Sequence, residues 1–480
     1  MKRIFTFLAL TAFVFLASCQ KPEPDPVPVG GKGPVLVSSD PADGTADILG
    51  SSLDLVLTYD RNILCLTSMQ GNITVDNGAR VDAVEAAMTE LTVSVSGLQS
   101  GKTYTVTIPE GTVTGYDNSP AGEVRISFST KEEVSFEDQE ISESLVTPDP
   151  IPAAKKLYDY LRSIYGKQTL SGAMAHVAWN TDEAEWVHKF TGKYPAVAYF
   201  DYIHLAASPA NWIDYGDITP ALDWWNAGGL IGASWHWNVP RNSSETDPNN
   251  FTCDAADNEF NVTEALREGT WQNEFMHESL EKITGYLKLL QDEGIPVIWR
   301  PLHEAAGNTY TQWHSGAWFW WGADGAQAYK KLWIYVFNYF KDAGLRNLIW
   351  VWTTQTSSFD DVDFEFYPGD GYVDIIGRDA YQDQTNSVDA LNLASQFSAI
   401  TQFSAHKMVT LSEFGGMPDM ADQWNAGARW LYFMPWYDYD LGEAGYNSEN
   451  HSSADIGWWN ASFASDVVIS RDELPADLFE

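Results

Sequence analysis

The feature that most constrains the fold is an alternation, sustained over residues 151–480, of short apolar runs with amphipathic helical stretches. Runs rich in β-branched residues and bounded by turn formers read as buried strands. Eight stand at 168–172, 196–201, 230–237, 296–302, 348–353, 373–378, 407–413 and 428–437. Between them, Phe275, Leu280, Ile283, Leu287 and Leu290 fall on one side of a helix over 274–292. Leu332, Val336 and Tyr339 do the same over 325–343. Strand and helix in repeated alternation build a parallel sheet with covered faces, and eight strands are the number that closes it. The predicted fold class is α/β, a (β/α)8 TIM barrel, whose chemistry belongs at the strands' C-terminal ends.

The front of the chain follows other rules. Lys2 and Arg3, an apolar run from Ile4 to Leu16 and the tag Leu16-Ala17-Ser18-Cys19 make an export segment. Small residues just before Cys19 resemble a bacterial lipoprotein cleavage box. Residues 1–19 are therefore expected to be a signal peptide ending in a lipidated Cys19, anchoring the protein to the outer membrane on its periplasmic or surface face. Residues 20–32, dominated by proline, glycine and charge, read as a tether. Over 33–131 the period becomes two: Leu53, Leu55, Leu57 and Tyr59; Leu91, Val93 and Val95; Tyr104, Val106 and Ile108; Val124, Ile126 and Phe128. Half-buried strands separated by turns such as Asp76-Asn77-Gly78 predict a small all-β sandwich. Ser39-Asp40-Pro41-Ala42-Asp43-Gly44 and Gly97-Leu98-Gln99-Ser100-Gly101 make it resemble bacterial Ig-like domains, with a spacer as the expected role. Residues 132–150, acidic and ending in Thr147-Pro148-Asp149-Pro150, read as a second linker, and 151–480 as the barrel.

The chemistry gathers at two strand ends. Val297-Ile298-Trp299-Arg300-Pro301-Leu302-His303-Glu304 and Met408-Val409-Thr410-Leu411-Ser412-Glu413-Phe414-Gly415-Gly416 each run from apolar strand into a carboxylate. Two glutamates at the ends of two strands are what a retaining glycosidase needs: one carboxyl protonates the leaving oxygen and the other attacks the sugar. All 21 tryptophans lie at or beyond Trp179, and aromatic faces suit the apolar faces of pyranose rings. A net charge of -38 opposes binding to nucleic acid or anionic lipid headgroups and leaves a neutral polysaccharide unaffected. Three cysteines, Cys19, Cys65 and Cys253, imply no disulfide framework.

Trp299-Arg300-Pro301-Leu302-His303-Glu304 and Leu411-Ser412-Glu413-Phe414-Gly415 resemble glycoside hydrolase family 26, chiefly β-mannanases. So do Thr169-Leu170-Ser171-Gly172, Ser234-Trp235-His236-Trp237-Asn238, Trp318-Phe319-Trp320-Trp321-Gly322 and Arg471-Asp472-Glu473-Leu474-Pro475, in the family's order. The resemblance implies Glu304 as acid/base after the fourth strand and Glu413 as nucleophile after the seventh. It further implies His236 and His303 near the reacting sugar, Tyr381 hydrogen-bonded to the nucleophile, and Trp436 as the aromatic floor. Arg300 is read as structural or pKa-setting, Asp201 and Asp379 as supporting groups, and one of Trp318, Trp320 and Trp321 as a sugar contact. An extra stretch over 308–316 makes Trp313 or Tyr310, rather than Trp318, the aromatic expected to bind the leaving sugar. The polar loop 238–262 is expected to form a cleft wall, with Arg241 a possible sugar contact. The implied activity is endo-β-1,4-mannanase on mannan, galactomannan or glucomannan, with no metal or organic cofactor, by a monomer. The alternatives are a β-glucanase or β-1,3-xylanase of the same family, and a non-catalytic surface glycan-binding lipoprotein.

Overall fold

The computed structural model describes residues 31–48, 50–307, 316–355, 364–381 and 389–480. Cys19, Tyr310 and Trp313 lie outside them. The chain divides into two compact units, Met1–Glu133 and Val134–Glu480.

The first unit is the predicted sandwich. One sheet orders Leu36–Asp40, Ser52–Tyr59, Glu90–Ser96 and Arg80–Ala87; the other orders Thr45–Ile48, Val124–Thr130, Thr103–Ile108 and Thr74–Val75. The period-two pattern has the expected result. Leu55, Leu57, Leu91, Val93 and Val95 from one sheet meet Tyr104, Val106, Ile108, Ile126 and Phe128 from the other in one core.

The second unit is a closed parallel barrel. Its strands are β1 (Thr169–Met174), β2 (Val197–Asp201), β3 (Leu230–Trp235), β4 (Val297–Pro301), β5 (Leu348–Thr354), β6 (Ile375–Tyr381), β7 (Met408–Gly415) and β8 (Tyr432–Pro435). Each pairs in parallel with the next, and β1 pairs with both β8 and β2, so the sheet has no open edge among these eight. Every predicted apolar run became one of these strands. Helices Trp271–Asp292 and Ala326–Asp342 bury the residues whose spacing predicted them, including Leu280, Ile283, Leu287, Leu332 and Val336.

Residues 134–150, expected as linker, make specific contacts within the barrel unit. The Val146 amide donates to Asp374 Oδ1 at 2.8 Å and the Thr147 hydroxyl to Leu348 O at 2.6 Å. Burial pushes the Asp374 carboxyl up to about 7, although the Trp350 and Val146 amides it accepts from pull the other way.

Two backbone features shape the catalytic end. Between β6 and β7 the register slips: Arg378 pairs with Leu411 and Asp379 with Glu413, which leaves Ser412 as an extra residue. In a regular strand successive side chains alternate faces, so Ser412 and Glu413 would point opposite ways. The bulge turns both inward. The second feature is the turn after β4, where Leu302 (φ 49°) and Glu304 (φ 55°) adopt left-handed backbone. Such strain costs about 1–3 kcal/mol per residue and persists only where neighbours over-determine it. Here the Tyr329 hydroxyl donates to Leu302 O (2.9 Å), the Trp321 indole to His303 O (2.8 Å), and the Glu304 amide to Thr353 O (3.1 Å).

Candidate active site

Glu304 follows β4, Glu413 ends β7, Asp379 lies on β6, and all three are buried. Each offers a carboxylate oxygen, and the three oxygens lie within 4.8 Å of one another. So close an approach suits direct attack by one carboxylate beside a proton-donating partner. Among the described residues no other His/Cys/Asp/Glu group is dense enough for a metal ion, and here a guanidinium already spans two of the carboxylates.

That guanidinium is Arg300, fully buried on β4. Its Nη2 donates to Asp379 and, at 2.9 Å, to Glu413 Oε2. Nε donates to Thr353 Oγ1 (3.1 Å) and Nη1 to Ser234 Oγ (3.3 Å), so β3, β4, β5, β6 and β7 all contribute to its setting. Ser412, the bulge residue, donates its hydroxyl to Asp379 Oδ1 at 2.8 Å. Beneath this network Gly377 on β6 has no room for a methyl group, since a Cβ would overlap the Ser412 and Thr353 hydroxyls.

The same surroundings treat the two glutamates differently. Burial and the Asp379 and Glu413 charges push Glu304 well above the usual carboxylate range; it also hydrogen-bonds Asp379, and Arg300 opposes the rise only in part. Burial and Asp379 push Glu413 up as well, to about 7, with Arg300, the Tyr381 hydroxyl and His236 limiting the rise. Tyr381, at the end of β6, donates its hydroxyl to Glu413 Oε1. Of the two carboxyls, Glu304 is thus the one that holds its proton more tightly.

His236 follows β3. Its Nδ1 lies 2.5 Å from Asp201 Oδ2, and its own amide donates to Asp201 Oδ1 at 3.0 Å. Burial works against a charge on this ring, but the Asp201 carboxylate and then Glu413 outweigh it and raise the pKa. His303 is the reverse case: burial, Arg300 and His236 hold it well below its ordinary value. The two Nε2 atoms face each other at 3.1 Å.

Aromatic rings close the walls. Trp436, half-buried after β8, has its ring centroid 5.7 Å from that of His236. Phe319 lies 5.7 Å from His236 and 5.3 Å from His303, and stacks on Trp321 at 4.5 Å. Trp320 and Trp321 are fully buried, so of the three tryptophans in that run only Trp318 keeps exposed surface. Trp318 packs on Gly307: a Cβ there would overlap the indole, and the Trp318 amide faces Gly307 O at 3.4 Å. The loop after β3 holds this wall, with the Ala255 amide donating to Trp318 O (2.8 Å) and the Trp320 amide to Cys253 O (3.0 Å). Arg241 faces its own loop, donating to Asn250 O and pairing with Asp257 at 3.2 Å.

The structure therefore brings Glu304, Glu413, His236, His303, Tyr381 and Trp436 into one cluster, with Trp318 on the adjoining wall. Sequence reasoning missed Phe319, Thr353, Ser234 and the bulge at Ser412.

A closed parallel barrel with two mutually facing, buried glutamates at the ends of its fourth and seventh strands, under an aromatic-walled cleft, defines a barrel glycosidase scaffold. The chain belongs to glycosyl hydrolase family 26, whose model matches residues 146–472, and a bacterial Ig-like domain model matches residues 31–130. It is 34% identical over 349 residues to mannan endo-1,4-beta-mannosidase A of Piromyces sp, covering 70% of this chain and 51% of that protein. It is 32% identical over 347 residues to mannan endo-1,4-beta-mannosidase of Thermothelomyces thermophilus, covering 70% and 64%. Thus it spans between half and two thirds of the length of these curated relatives. Among solved structures, the GH26 domain of an endo-beta-mannanase/endo-beta-glucanase from Prevotella bryantii is 43% identical, covering 69% of this chain and 99% of that one, with a TM-score of 0.63. A beta-mannanase from a symbiotic protist of the termite Reticulitermes speratus, complexed with gluco-manno-oligosaccharide, is 32% identical, covering 70% and 99%, with a TM-score of 0.58.

Proposed function

We propose that the protein is a retaining endo-β-1,4-mannanase. The observation that carries this reading is the pair Glu304 and Glu413, buried, with oxygens within 4.8 Å and with environments that push their proton affinities apart. Mannan as substrate is supported by the likeness to mannan endo-1,4-beta-mannosidases and to a beta-mannanase complexed with gluco-manno-oligosaccharide. In the first step Glu413 attacks the anomeric carbon while Glu304 gives its proton to the departing glycosidic oxygen. In the second, water attacks the glycosyl-enzyme while Glu304 takes a proton from it, and Glu413 leaves; configuration is retained. Arg300 and Tyr381 favour the ionised form of Glu413, and His236, His303, Phe319 and Trp436 surround the reacting sugar. The test is product analysis on linear mannan, galactomannan and mixed-linkage β-glucan, with the product anomer followed by NMR. Wild type should release manno-oligosaccharides with retained configuration, and Glu413→Ala and Glu304→Ala should each lose several orders of magnitude. Release from the glucan alone would replace the substrate, and inverted products would remove Glu413 as nucleophile. Lipid attachment at Cys19 belongs to the same reading: labelled palmitate should enter the wild-type protein in a Gram-negative host and fail to enter Cys19→Ser.

A further inference from the structure

Large apolar side chains left in water are spread unevenly over this protein. Among the described residues eleven are exposed, and six of them, Val35, Val37, Leu64, Leu66, Met88 and Tyr116, belong to the small sandwich, much the smaller of the two units. Single exposed apolar residues are ordinary, whereas a set gathered in one place marks a surface that something else covers. Backbone bonds gather these six. The Asp60 amide donates to Val35 O (3.0 Å), the Ile63 amide donates to Met88 O (2.8 Å), and Leu64 pairs with Thr114, two residues before Tyr116. Leu66 follows directly, and Val37 is the bulged residue where the strand Leu36–Asp40 pairs with Thr58 and Tyr59.

The most exposed of the six is also the least relaxed. Met88, 77% exposed, takes the first position of a two-residue hairpin turn between Ala87 and Glu90, at φ 53°. Glycine or asparagine would sit there with less strain, so a long apolar side chain held in water against that preference points to a use outside the fold.

The patch also has a definite place. It lies at the end of the sandwich where the chain enters, since Val35 comes just before the first strand, and Tyr59, Ala87 and Glu90 mark that same end of the sheet. The chain leaves at the opposite end, where Ser52 pairs with Ser96 and the Lys131 amide donates to Ile48 O (2.9 Å). Upstream, Gln20 to Gly30 are all that separates the sandwich from Cys19, a span of at most about 40 Å if fully extended. A lipid on Cys19 therefore brings this end, before any other folded surface, to a membrane. Charges beside the patch are largely paired off: Arg61 donates twice to Asp60 (3.1 and 3.0 Å), and Asp117 accepts from the Ser119 amide (3.1 Å). Glu90 next to the Met88 turn and the net charge of -38 disfavour an anionic lipid surface and leave a zwitterionic one open.

We propose that this end of the sandwich is a membrane-seating surface, whose Leu64, Leu66, Met88 and Tyr116 enter the headgroup boundary of a zwitterionic lipid layer. The proposal rests on the lipid attachment at Cys19 read above. The anchor supplies attachment; the patch sets how the small unit stands, with its entry end on the lipid and its Thr130 end away from it.

The test floats the chain from Gln20 onward, unlipidated and keeping every described residue, with vesicles of phosphatidylcholine and phosphatidylethanolamine at millimolar lipid. Wild type should float with the vesicles equally at low and high salt. A variant carrying Leu66→Ser, Met88→Gly and Tyr116→Ser should lose at least tenfold in partition coefficient. Met88→Gly alone separates display from folding: its thermal midpoint should hold or rise as the turn relaxes, while its partitioning falls. No flotation of wild type, parity of the triple variant with wild type, or flotation that high salt abolishes overturns the proposal. So does a dimer seen by sedimentation that the triple variant loses, with no binding to lipid. Palmitate labelling judges the anchor separately. Patch-dependent flotation with an unlabelled Cys19 removes the anchor and upholds the surface, and a labelled Cys19 without such flotation does the reverse.

Discussion

A guanidinium that cannot lose its proton, set between two buried carboxylates, decides how charge divides at the centre of this barrel. Removing one member of a buried ion-paired set leaves the others uncompensated, at a cost of about 3–5 kcal/mol. Arg300→Met should therefore lower unfolding free energy by about that amount at neutral pH. The loss should shrink toward pH 5, because Glu413 without Arg300 takes up a proton more readily and becomes neutral; denaturant unfolding at the two pH values checks this. Tyr381 acts more narrowly. Its hydroxyl favours ionised Glu413, and a hydrogen bond to a charged group is worth about 1.5–3 kcal/mol, or about 1–2 pKa units. In Tyr381→Phe the pKa of Glu413 rises, so the acid limb of the kcat/KM profile on mannan should move to higher pH by about one unit or more, with the basic limb, set by Glu304, nearly in place. At this scale the sequence was informative where a polar residue closes an apolar strand, which is why Glu304, Glu413, Asp201 and Asp379 could be singled out. It was silent on Phe319, since a phenylalanine among tryptophans reads as core. It was equally silent on the left-handed Leu302 and Glu304, where neither residue is a glycine that would advertise such a turn.

Elements carry the next level of argument. All eight strands and the long helices could be read from periodicity, because each buries a continuous stripe. The bulge in β7 could not, because register is a property of two strands and neither sequence states it alone. Its effect is large, since it aims both Ser412 and Glu413 at the barrel interior. Gly377 is the partner that makes room. Gly377→Ala should cost about 1–3 kcal/mol by overpacking against the Ser412 and Thr353 hydroxyls, and should lower kcat more than a distant mutation of equal stability cost, because those hydroxyls orient Asp379 and Arg300. Thermal unfolding beside steady-state kinetics separates the two effects. The wall after β4 is likewise built between elements, with residues 253–255 and 318–320 joined by backbone hydrogen bonds that no single-segment pattern announces.

For the molecule as a whole, the two units have separate cores: one spans the barrel and its helices, the other the two small sheets. A chain beginning at Val134 should therefore fold with a cooperative transition near that of the full protein and retain hydrolysis of soluble mannan, as differential scanning calorimetry and reducing-sugar release would register. Composition gave both units and the change of period between them. What it gave less well was the stretch 134–150, whose polar character hid the few amides and the one threonine that fasten it to the barrel unit. One further consequence follows from the close packing of Trp318 on Gly307. The chain departs from the acid's turn at Gly307 and comes back to the same spot at Trp318. Length added or removed between those two residues should leave Glu304 where it is, since its turn is fastened by Tyr329, Trp321 and Thr353. Descent with modification thus has a place to change chain length beside an inherited acid.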